Sequence, residues 1–571
     1  MIIKKRLLSL AVANVSLSLA AESLAVGVTG TGASDCAVNL QQALNIVDPV
    51  LGETVVIDVT ACPVISLSGT IVADKPVIIQ APVAADGRPQ VVITADSEGF
   101  GLFSFDNSSL VPGESHPIII SGLELSGAAS DGPGGAIAAN NHILVLDKSV
   151  ISENSAVGAG GGIYVAGELC LQGSELIDNT VTHVFDVDGF SVFESASAVG
   201  GGAAVNGSTL VKPSFASDFE FQGYTPPDDC LTGTGAAAIF TAVSDAFNES
   251  AAALAGNHPA GMNIIASKIP GNSALVDLDN SELDYDGPSE LAGVAALGGG
   301  IASFGDGVVR DNAISAGSKY GEGSGGVSLW QAVIADNAAT VTLANTSARA
   351  APKYIVSAGG GVFAGTDAGT VAFIESKYVE VRDNTVSLTG SGAKRALAMG
   401  GGLAASESEV LRDISAGWLG SLGEGEEEGY SESGILSLLV SSEVSGNTVQ
   451  LSTSDYAEGG NKAHIAVGGG VAVVSTNYSE SLSLSIGSTV SGNTVVVSGG
   501  TNDYSDAYTH AAGGGLAVGS LIFDYDAPSR IAALIYGIYI GYQSGNSGNT
   551  VSVSSINDAG VGGGGVSAGA I

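Results

Sequence analysis

Apolar and polar residues alternate in short runs along most of the chain. In SLSLSIGSTV, Leu482, Leu484 and Ile486 fall on one side and the intervening serines on the other, and Val449 and Leu451 repeat the pattern after Asn447. A period of two puts successive side chains on opposite faces, so the runs predict short, half-buried strands. Val, Ile, Thr and Leu dominate them, as strands favour. No long segment shows helical spacing. Val38–Val47 (VNLQQALNIV) predicts an amphipathic helix, and GETVVIDVT from Gly52 a strand after it.

Two phrases punctuate the runs. A glycine triplet leads into an apolar strand at Gly160, Gly298, Gly359, Gly400, Gly468, Gly513 and Gly562, and an Asn closes an alternating stretch at Asn154, Asn179, Asn337, Asn384, Asn447, Asn493 and Asn549. Self-similarity of this kind marks a stacked repeat protein. From the middle glycine of a triplet to the next Asn is 18 residues at Gly161 to Asn179 and 24 at Gly360 to Asn384 and at Gly469 to Asn493. A coil of about 20 to 25 residues holding three short strands is one rung of a parallel β-helix, whereas hairpins need a turn every ~8 to 12 residues. Asn tolerates left-handed backbone angles, and stacked Asn amides bond to one another as a structural ladder. Gly permits positive φ and close approach at a sharp corner.

These features predict an all-β solenoid with an N-terminal helical cap and long loop insertions. Residues 1–25 read as a leader, 26–133 as the cap and first coils, and 134–571 as the repeat body, with an insertion at about 206–297. The chain stops at Ala570–Ile571 just inside a strand, which predicts an uncapped, incomplete C-terminal end.

Composition narrows the setting. With 83 Gly and 16 Pro among 571 residues but only 13% charged, the chain is too apolar for disorder, and it lacks the period of collagen. Lys4, Lys5 and Arg6, then the apolar Leu7–Ala20, then Ser23-Leu24-Ala25 form the pattern of a secretory signal peptide, so the protein is expected outside the cell or on an outer-membrane surface. The longest later apolar stretch, Ile531–Tyr542, is too short for a transmembrane helix. A net charge of −39 excludes nucleic acid as a partner and leaves a solubilising acidic coat or Ca2+-binding loops. No regular calcium-loop spacing occurs, so the coat is preferred and no cofactor is expected beyond Ca2+. Four cysteines predict two disulfides, for which proximity favours Cys36 with Cys62 and Cys170 with Cys230. No metal centre is expected, because no Cys-x-x-Cys occurs and the six His are scattered.

The phrases NLQQALN, GETVVIDV, PVIIQAP, PIIISGLELSG, GPGGAIA and ISENSAVGAGGGIY resemble exported bacterial right-handed β-helix proteins of the pectin-lyase-like superfamily. The pairing of Asn with Gly-Gly is similar to the repeat of chlamydial-type polymorphic outer-membrane proteins, with motifs GGA[ILV] and F-x-x-N. Here Ile151, Leu176, Val381, Val444 and Val490 stand at the Phe position. The resemblance implies a right-handed parallel β-helix and covers most of Leu40–Ile571.

Superfamily members that are enzymes set a test for chemistry. A polysaccharide lyase requires a cation and a base, and this chain has few Arg and no R-x-K pair. A glycoside hydrolase requires two carboxylates at ~5 to 9.5 Å, for which Asp178, Asp336 and Asp383, each just before a ladder Asn, are the candidates. Gly446, Gly492 and Gly548 occupy the same slot in later repeats, which reads the Asp residues as turn formers. The stretch between Gly201 and Gly299, which stand 98 positions apart, holds Phe215, Phe219, Phe221 and Tyr224, aromatics suited to stacking on sugars. The expected function is a non-catalytic, adhesin-like or passenger-like role toward glycans or cell-surface and matrix components. The alternatives are a polysaccharide lyase or hydrolase and a calcium-stabilised surface module.

Overall fold

A computed structural model describes residues 24–46, 55–73, 77–106, 117–183, 196–207, 261–279, 293–305, 325–344, 352, 354–366, 371–391, 395–407, 434–454, 462–475, 480–499, 507–520, 537–554, 559–561 and 563–570. These residues form a parallel β-helix solenoid. One coil serves as the pattern: β1 (Val362–Thr366), β2 (Val371–Lys377), β3 (Glu380–Arg382), β4 (Thr385–Ser391) and β5 (Arg395–Met399). Each strand pairs in parallel with its equivalent one coil away, for example Val381 with Val444 and Val386 with Val449. The β3 column runs to 11 strands, the β4 column to 8 and the β5 column to 7. The β1 and β2 columns merge into one sheet because Ile137–Asp147 and Ile163–Gln172 each span both positions without a break.

The five columns enclose three cores. Val362 and Ala364 of β1, Ile374 of β2 and Val381 of β3 face a common lumen. Val386 and Leu388 of β4 pack on Ala396 and Ala398 of β5. The other face of β5, Leu397 and Met399, packs on the next coil's Ala404. Columns β5 and β1 are thus buried on both faces, and strands there read as continuous small apolar runs such as Gly293–Leu297 and Val471–Ser475. Small Ala side chains let the two layers approach across the triplet. Ile151, Leu176, Val381, Val444 and Val490 are the inward residues of the three-residue β3 strands, so any compact apolar side chain serves at that position.

The triplets and the asparagines form a single feature. Asn384 donates from its backbone N–H and its Nδ2 to Oδ1 of Asn447 at 3.0 and 2.9 Å, and from Nδ2 to the Ile334 carbonyl at 3.1 Å. Its own Oδ1 accepts from the N–H and Nδ2 of Asn337 at 3.1 and 2.9 Å. The same pattern joins Asn154, Asn179, Asn272, Asn337, Asn384, Asn447, Asn493 and Asn549. The third glycine of the triplets from Gly160 to Gly513 lies on this ladder, so that a Cβ at Gly361 would sit 3.1 Å from Asn384 Cγ and 2.8 Å from the Gly402 carbonyl. The first glycine, Gly359, has φ 62°. A second ladder runs five residues earlier: the N–H of Ser149 bonds Ser174 Oγ, that of Ser174 bonds Ser267 Oγ, and that of Ser442 bonds Ser488 Oγ.

Several expectations change. The triplet-to-Asn distance spans only β1 to β3, and a full coil from Asn to Asn takes 25 residues at Asn154 to Asn179 and 46 to 93 in the coils that follow. The segment of about 206–297 is not one insertion, since Met262–Ile265, Lys268–Pro270, Ser273–Asp279 and Gly293–Leu297 are regular coil strands around Asn272. In Glu480–Ile486 the alternation holds but its faces are exchanged: Ser481, Ser483 and Ser485 point into the lumen, while Leu482 and Ile486 lie half-buried outside. At the start, helix α1 (Ala33–Ile46) buries Leu40, Ala43 and Leu44 on the first coil, and the Cys36–Cys62 disulfide ties it there. Leu24–Gly27 is already a strand paired with Val55–Asp58, so a leader cut after Ala25 would divide it.

Replacing Asn384 with Ala removes the acceptor of the Asn337 N–H, one of the two acceptors of the Asn337 Nδ2, and the Nδ2 donor to the Ile334 carbonyl. Chemical denaturation should show a loss of more than about 3 kcal/mol, whereas Asn549→Ala, at the half-exposed last rung, should lose less than half as much.

Candidate functional site

Two neighbouring corners of the solenoid concentrate its side-chain chemistry. The β3–β4 corner carries the three Asp candidates. Asp178, Asp336 and Asp383 have φ of 53°, 59° and 56°, in the left-handed slot that Gly271, Gly446, Gly492 and Gly548 fill elsewhere, and Asp tolerates that slot better than most residues. Stacking brings Asp336 and Asp383 onto adjacent coils. Arg382 joins them: its Nε donates to Glu380 Oε1 at 2.6 Å, and its Nη1 lies 3.1 Å from Asp383 Oδ2 and 3.8 Å from Asp336 Oδ2. The hydrogen bonds that Arg382 donates to Asp383 and then to Glu380 raise its pKa further. Asp178 stands apart, its carboxylate leaning over Gly271 of the intervening coil. The arrangement is an exposed ion-pair cluster around one guanidinium.

Phe215, Phe219, Phe221 and Tyr224 lie outside the described residues, as does Cys230. Cys170 is disulfide-bonded. Among the described residues no group of three or more His, Cys, Asp or Glu could hold a metal ion, and no helix is long and apolar enough to cross a membrane.

The β2–β3 corner carries a row that inspection of the repeats missed. Trp330, Lys377, Val440, Ile486 and Tyr542 each stand seven residues before a ladder Asn and pair in register one above another. Trp330 is 36% exposed, Tyr378 54% and Tyr542 62%. The Lys377 ammonium sits 5.4 Å from the Trp330 ring centre and 5.7 Å from that of Tyr378, a cation–π arrangement that holds both rings in place. The fixed offset from the Asn was the available signal, and alignment on the ladder reveals it.

Glu375 lies on the same strand, facing away from the lumen. It is buried, and Ser328 Oγ donates to its Oε2 at 3.3 Å. Burial raises its pKa, against smaller lowering effects of the Ser328 hydrogen bond and the Lys377 charge. A carboxyl group whose pKa is raised by folding adds stability below its unfolded pKa and loses that contribution as pH rises through the folded value. Glu375→Gln should therefore raise the melting temperature near pH 7 and change it little near pH 4, as read by scanning calorimetry at both.

Compared with known proteins, the chain matches no family model, no curated protein and no solved structure.

Proposed function

We propose that this chain is an exported β-helix stalk with an adhesin-like, non-catalytic role, presenting one side of the solenoid to glycans or to cell-surface and matrix components. The observation that carries the reading is the set of three exposed aromatic side chains, Trp330, Tyr378 and Tyr542, held on a regular backbone at the β2–β3 corner. Aromatic rings exposed on rigid elements suit recognition of amphipathic partners. The ion pairing of Asp336 and Asp383 with Arg382 favours binding over hydrolysis, because a hydrolase requires a carboxylic acid and a carboxylate directed at substrate. The repeat resemblance to polymorphic outer-membrane proteins and the pectin-lyase-like superfamily supports the same placement outside the cell. Export would cut the leader before Leu24, which keeps the strand Leu24–Gly27 whole.

Purified protein immobilised on beads should retain whole cells or extracted matrix glycans and release no sugar from them. Release of reducing or unsaturated ends that is abolished by Asp336→Asn or Asp383→Asn would instead establish an enzyme.

A further inference from the structure

We infer that the β2–β3 corner is a track for a linear, uncharged polysaccharide lying along the solenoid axis. The inference rests on the binding role proposed above and assigns its site and ligand class. Four features support it.

The first is geometry. Coils advance by about 4.8 Å, so Trp330 and Tyr542, four coils apart, are separated by about 19 Å along a straight column. A track of that length accommodates several rings of an extended sugar chain, with Trp330 and Tyr378 towards one end, Tyr542 at the other and the apolar Val440 and Ile486 between them.

The second is charge. From Ile265–Ala266 to Tyr542–Gln543, neither the last β2 residue nor the corner residue after it is Asp or Glu in any coil, although the chain carries 58 acidic residues. The one cation in the row, Lys377, is turned onto the rings of Trp330 and Tyr378. An acidic polymer would meet the repulsion of the surrounding surface, whereas an uncharged one would not.

The third is the choice of groups. The exposed rings of Trp330, Tyr378 and Tyr542 offer apolar faces to the C–H faces of sugars, and the exposed amides of Gln331 and Gln543 beside them offer donors and acceptors to hydroxyls. The fourth is backbone cost. Tyr378 holds φ 58° in a left-handed corner slot that Lys148, Ala266, Gln331, Ser441 and Gln543 share and that Gly173 and Gly487 fill elsewhere, and it is the bulkiest side chain kept there. Lys377 is a positioning residue for the two rings.

The test titrates the full chain with cellohexaose, xylohexaose and chitohexaose, with a galacturonate hexamer as the acidic comparator, by calorimetry and tryptophan fluorescence. Trp330→Ala and Tyr378→Gly are the variants, the second relieving the backbone strain so that folding is kept. At least one neutral hexamer should bind, more tightly than its trimer and than the acidic hexamer, and each variant should weaken it by about tenfold. Equal or tighter binding of the acidic hexamer overturns the inference. So does neutral binding that both variants leave unchanged, or no neutral binding by a protein that still adheres to cells; in these two cases the adhesive reading stands and the site is wrong. Failure of the wild-type protein to adhere to cells or matrix sinks the adhesive reading itself. Sedimentation velocity closes the remaining route: a wild-type dimer that Trp330→Ala turns into monomer would make the row a contact between copies and overturn the glycan track.

Discussion

The buried asparagine amide, fully hydrogen-bonded to the coils on either side and capped by glycine, is the constraint on which the rest of this structure depends. Each interior rung's side chain accepts two hydrogen bonds and donates two, which satisfies a polar group that would otherwise be costly to bury. The third glycine of the triplet comes within contact of that amide because it has no Cβ. A larger residue there would push against the carbonyl of the neighbouring triplet, so the two repeated phrases require one another.

Once that junction is fixed in every coil, the remaining geometry follows with wide freedom in length. Coils of 25 and of 93 residues join the same ladder, because only the junction must superpose. The triplet turns β5 directly back over β1, which buries both columns on two faces and accounts for the alanines around it, such as Ala302, Ala358 and Ala404. The same regularity stacks outward residues into columns. Trp330 and Lys377 are 47 residues apart in sequence, yet they become neighbours in register, and a binding row arises without any local motif.

The solenoid, the turn role of the Asp and Gly slots, the helix near the start and the first disulfide were all legible in the sequence, because each is a local pattern with a local cause, but the left-handed backbone expected at the Asn lies one residue before it. The coil length was not. The spacing from Gly360 to Asn384 is regular in itself and conceals the β4 and β5 strands that complete the turn. Asn272 escaped notice although Gly271-Asn272-Ser273 follows the same turn chemistry as Gly446-Asn447-Thr448. Alternation located the strand Glu480–Ile486 but could not say which face was inward; its serines face the lumen because register with Ile374 and Leu439 places them there. The aromatic row was invisible for a related reason, since it is a property of stacking and not of any one segment.

The Asn and Gly junction should be the last part of the solenoid to open. Native-state amide exchange of the full chain, resolved by peptide mass, measures this directly. Peptides containing the N–H groups of Asn337, Asn384 and Asn447 and of the adjoining triplets should retain deuterium protection until global unfolding, longer than those covering the outer halves of the β4 strands. Exchange of the junction peptides by local opening, while the strands around them remain protected, would contradict the central role given to the ladder.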